Sequence, residues 1–277
     1  MKRLLVVGYG DIAHRTAALL PKGVELRSVS RSTGFDLDRR ETLAALGGWA
    51  DTVLHCAPPP VAGTTDPRTT ALLASLETGG ILPRRFVYIG TSGVYGDCGG
   101  ALVDESRPVN PQTARAVRRV DAENQLIAWG KAHDIAVVVL RAPGIYAADR
   151  LPGDRLRQAI PVLADHDDVY TNHIHADDLA AIALTAMRPE AATGIFNASD
   201  DTHLKMGEWF DLVAARLGFP KPARIARRDS AGRIPATMLS FMSESRRLVN
   251  RRIKEELGVK LRYPTVHEGL PAGRRAA

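Results

Sequence analysis

Lys2-Arg3-Leu4-Leu5-Val6-Val7-Gly8-Tyr9-Gly10-Asp11-Ile12-Ala13 opens the chain with a short apolar strand that runs straight into Gly-x-Gly-x-x-Ala. A helical stretch follows to about Leu20. Glycines at this spacing mean little alone, but between a strand and a helix they mark a phosphate-binding turn. Gly8 permits the tight turn, Gly10 lets backbone approach a pyrophosphate, and Ala13 lets helix and strand pack closely. The turn from Gly8 through Tyr9 and Gly10 to Asp11 and Ile12 would aim free N–H groups at the phosphates, assisted by the helix dipole.

The next strand, Val24–Val29, ends in Ser30-Arg31-Ser32-Thr33-Gly34. A site for NAD usually carries an acid here, bonded to the ribose 2′-hydroxyl. Glu25 lies too early in the strand to serve. The guanidinium of Arg31 and the hydroxyl of Ser32 suit a 2′-phosphate instead. NADP is therefore expected in preference to NAD.

Strands and helices then alternate. The sequence predicts a helix over Glu41–Leu46, a strand over Thr52–Cys56 stopped by Pro58-Pro59-Pro60, and a helix over about Asp66–Leu76. A strand over Phe86–Ile89 ends in Thr91-Ser92-Gly93-Val94-Tyr95-Gly96. A long helix over Ala114–His133 precedes a continuous apolar strand, Ile135–Leu140. Apolar strands without polar alternation indicate a parallel sheet covered on both faces. The fold class is α/β: a doubly wound Rossmann sheet with a smaller, mainly helical C-terminal lobe. Residues 1–150 form the dinucleotide-binding domain, which also takes in about 173–200 through a strand His173–His175, a helix Asp177–Met187 and a strand Gly194–Ala198. Residues 151–172 and 201–277 form the smaller lobe, with helices over Glu208–Leu217 and Met242–Leu257 and a loose end from about Pro271.

Composition narrows the function. Over 277 residues, 45% apolar and 25% charged content is that of a soluble globular protein. Runs such as Ile135–Leu140 are far too short to span a membrane. The early apolar residues give way to Asp11, His14 and Arg15, unlike a signal peptide. Cys56 and Cys98 cannot build a disulfide framework and lack metal-ligand spacing, so a cytoplasmic location is expected. The net charge of +6 gathers at Arg246, Arg247, Arg251, Arg252 and Lys254, and at Arg274 and Arg275. No aromatic residues interleave with these to stack bases, which argues against nucleic acid. A basic surface suits an anionic small molecule equally well.

With these residues in view the chain resembles the extended short-chain dehydrogenases, the nucleotide-sugar epimerase and dehydratase group. Matching segments follow in order: Val6–Ala13, Asp51–Pro59, Thr91–Gly96, Asp104-Glu105…Pro108…Glu123, Leu140–Tyr146, Asn172–Asp178 and Gly194–Ser199. The end of the chain, Ser245-Arg246-Arg247…Asn250…Glu256-Leu257-Gly258…Tyr263-Pro264, looks like the short atypical bacterial members. The resemblance implies Asp36 and Leu37 near the adenine, Cys56, Ala57 and Pro58 along the cofactor, and Pro143, Gly144 and Ile145 beside the nicotinamide. Thr91 matches the hydroxyl that holds the reacting oxygen, with Ser92 beside it. It also implies a homodimer built on the helices at about Asp66–Leu76 and Ala114–His133.

One departure is serious. The family's Tyr-x-x-x-Lys pair shuttles the proton, yet counting back from Glu123 its places hold Arg115 and Arg119. Arginine stays protonated and cannot act as a general acid–base near neutral pH. Arg119 can still hold a ribose or pair with Glu123 one helical turn on, and Arg115 can clamp an anion or stabilise an oxyanion. Tyr146 and Tyr95 are the candidates for a replacement acid. His173 and His175 share one strand face, but this stretch opens a helix in the family, and no metal site is expected. Cys56 at a strand end reads as inert packing. The residues therefore point to an NADP-dependent oxidoreductase or epimerase acting on a polar carbonyl or secondary alcohol. The alternative is a retired enzyme that senses the NADPH/NADP ratio.

Overall fold

The computed structural model describes residues 1–272. Six parallel strands form the central sheet: β1 (Arg3–Val7), β2 (Glu25–Val29), β3 (Thr52–His55), β4 (Arg85–Thr91), β5 (Ala136–Ala142) and β6 (Gly194–Asn197). Their spatial order is β6-β5-β4-β3-β1-β2, every neighbouring pair parallel. The direction of winding reverses between β1 and β3. In open α/β sheets ligands bind outside the strand carboxyl ends at such a switch point. Leu4–Val7, Thr52–His55 and Arg85–Gly90 are buried, as a sheet covered on both faces requires.

On one face, α1 (Asp11–Ala18) and α5 (Ala176–Ala186) close a core that includes Leu4, Leu54, Val138, Ile182 and Phe196. On the other, α2 (Pro67–Glu77) and α3 (Ala114–His133) cover Leu5, Val53, Phe86 and Tyr88. Capping defines these helices: Asp66 accepts N–H bonds from Arg68 and Thr69 at the start of α2, and Thr113 accepts one from Ala116 at the start of α3. Lys131 and His133 occupy the last turn of α3, where cations favour the dipole. Leu126 and Trp129 bury this helix against the sheet, each contributing roughly 1.5–3 kcal/mol.

The remaining helices gather beyond the carboxyl ends of the strands, except that Arg251–Glu255 packs beside β6 with Ile253 in the main core. They are α4 (Gly153–Arg157), α6 (Met206–Leu217), α7 (Ala236–Phe241), α8 (Arg251–Glu255) and α9 (Val266–Gly269). Short strand pairs knit them together, among them Gly144–Tyr146 with His173–His175 and Leu102–Val103 with Arg247–Leu248. Tyr146, Leu156, Trp209, Phe210 and Val266 form a separate core here.

Two helices expected from sequence take other forms. Glu41–Leu46 is replaced by a 3-10 turn, Arg40–Leu43. Met242–Leu257 is no single helix. Leu248 donates its N–H to Asn172 Oδ1 at 2.7 Å within the short strand Arg247–Leu248, and only Arg251–Glu255 is helical. The loose end expected from about Pro271 lies mostly outside the described residues. No described helix is long and apolar enough to cross a membrane.

Candidate active site

The turn after β1 is built as the glycine spacing requires. Gly8 has φ of +84°, and a Cβ there would stand 2.5 Å from the Ala57 nitrogen in the turn after β3. Gly10 faces open space. No side chain caps α1, and its first backbone bond runs from His14 N–H to the Gly10 carbonyl. The N–H groups at the front of α1 are therefore left for a ligand. They open on a groove of about 340 Å³ lined by Gly8, Tyr9, Gly10, Asp11, Ile12 and Ala13, by Cys56, Ala57 and Pro58, and by Ile89, Gly90, Arg119, Ile145 and Arg150. An open glycine cradle before bare helix amides fits the pyrophosphate of a dinucleotide.

An acid at this place would repel phosphate, but the Asp11 carboxylate is neutralised twice, by Arg15 at 2.9 Å and Arg150 at 2.8 Å. Arg15 also binds Asp149 and Asp177, which ties α1 to the loop after β5 and to α5. Burial pushes the Cys56 thiol up to about 12, so it stays protonated and packs against the groove.

At the end of β2, Arg31 opens an exposed 3-10 turn, Arg31–Thr33, with Ser32 hydrogen-bonded to Ser30 at 2.8 Å. Of the acids that follow, Asp38 is held by Arg68 at 2.6 Å and Asp36 accepts the Asp38 N–H. Arg31, Ser32, Asp36 and Leu37 are not among the residues lining the groove itself.

A second pocket, of about 330 Å³, adjoins the groove and shares Ile145 and Arg150 with it. Thr91 and Ser92 enter it from the end of β4, Pro143 and Gly144 from the turn after β5, and Arg115 from the start of α3. Trp209 and Phe210 of α6 and Phe241 of α7 supply aromatic walls. Thr91 Oγ1 accepts the Gly93 N–H at 3.2 Å, which leaves its own proton free for a bound oxygen. Arg115 is exposed, with its guanidinium 4.2 Å from the Phe241 ring centroid.

Several sequence expectations are corrected by side-chain positions. Arg119 does not pair with Glu123; it donates to the Tyr88 hydroxyl at 2.8 Å and the Ile89 carbonyl at 3.2 Å, on the groove floor. Glu123 belongs to Arg141 instead, in a buried pair at 2.7 Å. Tyr146 lines the pocket, but its hydroxyl lies against Gly269 and donates to the Thr265 carbonyl at 3.4 Å. Tyr95 is buried and donates to Asn197 Oδ1 at 2.8 Å, which makes it a structural tyrosine. Neither tyrosine is placed to replace the missing acid.

His173 and His175 serve separate ends. His175 accepts the Asp177 N–H at the start of α5, and His173 packs on Trp209 with ring centroids 4.3 Å apart. Burial pushes His173 down to about 3, so it is neutral. Among the described residues no three His, Cys, Asp or Glu side chains gather to hold a metal ion. Sequence reasoning missed Arg150, Arg155 and Trp209, which belong to no motif and reach the site through the folding of the second lobe.

A parallel sheet with a glycine cradle at its switch point and a small-molecule pocket beside it defines a dinucleotide-binding α/β protein of the Rossmann type. Residues 13–199 match the family model described as NAD dependent epimerase/dehydratase family, and the chain belongs to that family. It is 28% identical over 183 residues to a 3-diazoavenalumate denitrifying reductase of a Streptomyces species, a match spanning 62% of this chain and 59% of that protein. A functionally unknown conserved protein from Silicibacter pomeroyi superposes with a TM-score of 0.80 at 29% identity, covering 98% of this chain and 97% of the other. The UDP-glucose 4-epimerase of Thermus thermophilus, solved with NAD, shares the fold with a TM-score of 0.75 at 19% identity, over 97% and 96% of the two chains.

Proposed function

We propose that the protein is an NADP(H)-dependent oxidoreductase that acts on a polar carbonyl or secondary alcohol without a Tyr-x-x-x-Lys pair. The observation that carries this reading is the continuity of groove and pocket through Ile145 and Arg150, which brings a bound substrate against the cofactor. When bound, the nicotinamide supplies or accepts the hydride. Every other task falls to the chain. The cradle at Gly8 and Gly10 holds the pyrophosphate, Arg31 and Ser32 the 2′-phosphate, and Arg119 a ribose hydroxyl. Asp36 and Leu37 face the adenine end, and Pro143, Gly144 and Ile145 border the nicotinamide end.

At the reacting carbon, Thr91 donates its free hydroxyl proton to the substrate oxygen as a hydrogen bond, and Ser92 stands beside it. Hydride addition to a carbonyl leaves an alkoxide, which the Arg115 guanidinium at the pocket mouth stabilises until water delivers the proton. No group of the tyrosine type titrates in this step. The named reductase relative supports reduction over epimerisation, and the structured pocket counts against a purely sensing protein.

The test is turnover with an identified substrate. Thr91→Ala and Arg115→Ala are expected to lower kcat about a hundredfold to a thousandfold each, the range for loss of one oxyanion contact. If both variants turn over like the parent, the assigned roles are wrong.

A further inference from the structure

We infer that the pocket beside Thr91 binds a small aryl carboxylate, its carboxylate on Arg155 and its ring against Trp209 and Phe210. This rests on the pocket being the substrate site proposed above. Arg155 on α4 is 7% exposed, and its Nη2 donates to the Pro161 carbonyl at 3.0 Å. Its Nε has no partner, and its guanidinium lies 3.9 Å from the Phe210 ring centroid. Burial alone, with no acid nearby, pushes it down to about 10. Of the other buried arginines, Arg141 has Glu123 and Arg85 has the carbonyls of Ala186, Pro189 and Ala191, while Arg118, which does not line this pocket, donates to the Gly63 carbonyl and leaves its Nε unpartnered. A desolvated cation without a counter-charge is costly. A carboxylate entering the pocket supplies the partner that Arg155 lacks.

The walls choose the rest of the molecule. Trp209 presents a flat ring backed by His173 at 4.3 Å, with Tyr146 meeting it edge-on at 5.5 Å. Two of the polar side chains that could hold the hydroxyls of a sugar are engaged at least in part, while Thr91 keeps its hydroxyl proton free. Asn172 donates to the Arg246 carbonyl and accepts from Leu248 N–H, and Glu244 is paired with Arg246 at 2.9 Å. The volume of about 330 Å³ sits near the lower end of small-molecule sites, roughly 300–1,000 Å³. One ring and a short acid chain fit this description better than a nucleotide sugar does.

Calorimetric titration of the full chain, saturated with NADP, tests the inference with cinnamate, its neutral amide cinnamamide, glucuronate and UDP-glucose. Cinnamate is expected to bind, cinnamamide about tenfold or more weaker, and glucuronate and UDP-glucose not at all. Arg155→Leu should erase the preference for acid over amide at unchanged NADP affinity, and Arg155→Lys should restore part of it. Should Arg155→Leu fail to fold, the contrast between acid and amide on the parent protein decides alone. Equal binding of acid and amide, tighter binding of UDP-glucose or glucuronate, or an undiminished preference in folded Arg155→Leu would overturn the inference. A chain that binds NADP but not cinnamate sinks this inference only, whereas failure to bind any nicotinamide dinucleotide sinks the reading on which it rests.

Discussion

Asp200 shows what single residues of this chain can be asked to bear. It is buried in the loop after β6, where Oδ1 accepts the Thr202 N–H at 2.9 Å and Oδ2 has no partner. Burial, with Asp201 and Asp178 nearby, pushes its carboxyl up to about 7. An acid raised in the folded state keeps its proton while the unfolded chain loses it, so its contribution to stability falls as pH rises from about 4 to about 7. Asp200→Asn removes that slope. Its unfolding free energy, compared with the parent at pH 4 and pH 8, should shift in the variant's favour by about 1–4 kcal/mol between the two. An unchanged difference would show that Asp200 is ionised in the folded protein. Residues of this kind are hard to read from sequence. The glycine turn announces itself because spacing alone dictates its backbone. Arg155 sits on the short helix α4, which no motif marks, and its cover includes Phe210 of α6, more than fifty residues further on.

At the scale of elements, α3 is held to the sheet by the buried Glu123–Arg141 pair inside an apolar interface, beside the bonds from Arg119 to Tyr88 and Ile89. Removing one partner of a buried pair strands the other charge. Glu123→Leu is therefore expected to cost about 3–5 kcal/mol in urea unfolding, and Glu123→Leu with Arg141→Met to recover most of it. A small loss in the single variant would mean that water reaches Arg141. The same helix marks where sequence reading succeeds and where it stops. Ala114–His133 was evident from its length and periodicity, but whether Glu123 meets Arg119 or Arg141 depends on β5, which no helical pattern contains. The stretch Met242–Leu257 went astray for a related reason. Leu248, Val249, Ile253 and Leu257 keep a helix-like spacing, yet Leu248 is claimed by Asn172 and Leu102–Val103, partners far away in the chain. Non-local hydrogen bonds overrode local periodicity there.

Across the whole molecule, the central sheet supplies the glycine-lined groove and the later segments close the second pocket over its edge. Arg15 joins the two, since its partners Asp11, Asp149 and Asp177 come from three separate elements. The proposed function has one central requirement: the groove must take a nicotinamide dinucleotide, with its 2′-phosphate on Arg31. Titration calorimetry with NAD, NADH, NADP and NADPH measures this directly, and Arg31→Asp provides the control. NADP(H) is expected to bind about tenfold or more tighter than NAD(H) in the parent protein and to lose that advantage in the variant. Equal or tighter binding of NAD(H) by the parent would contradict the role of Arg31, and no binding of any of the four would contradict the account as a whole.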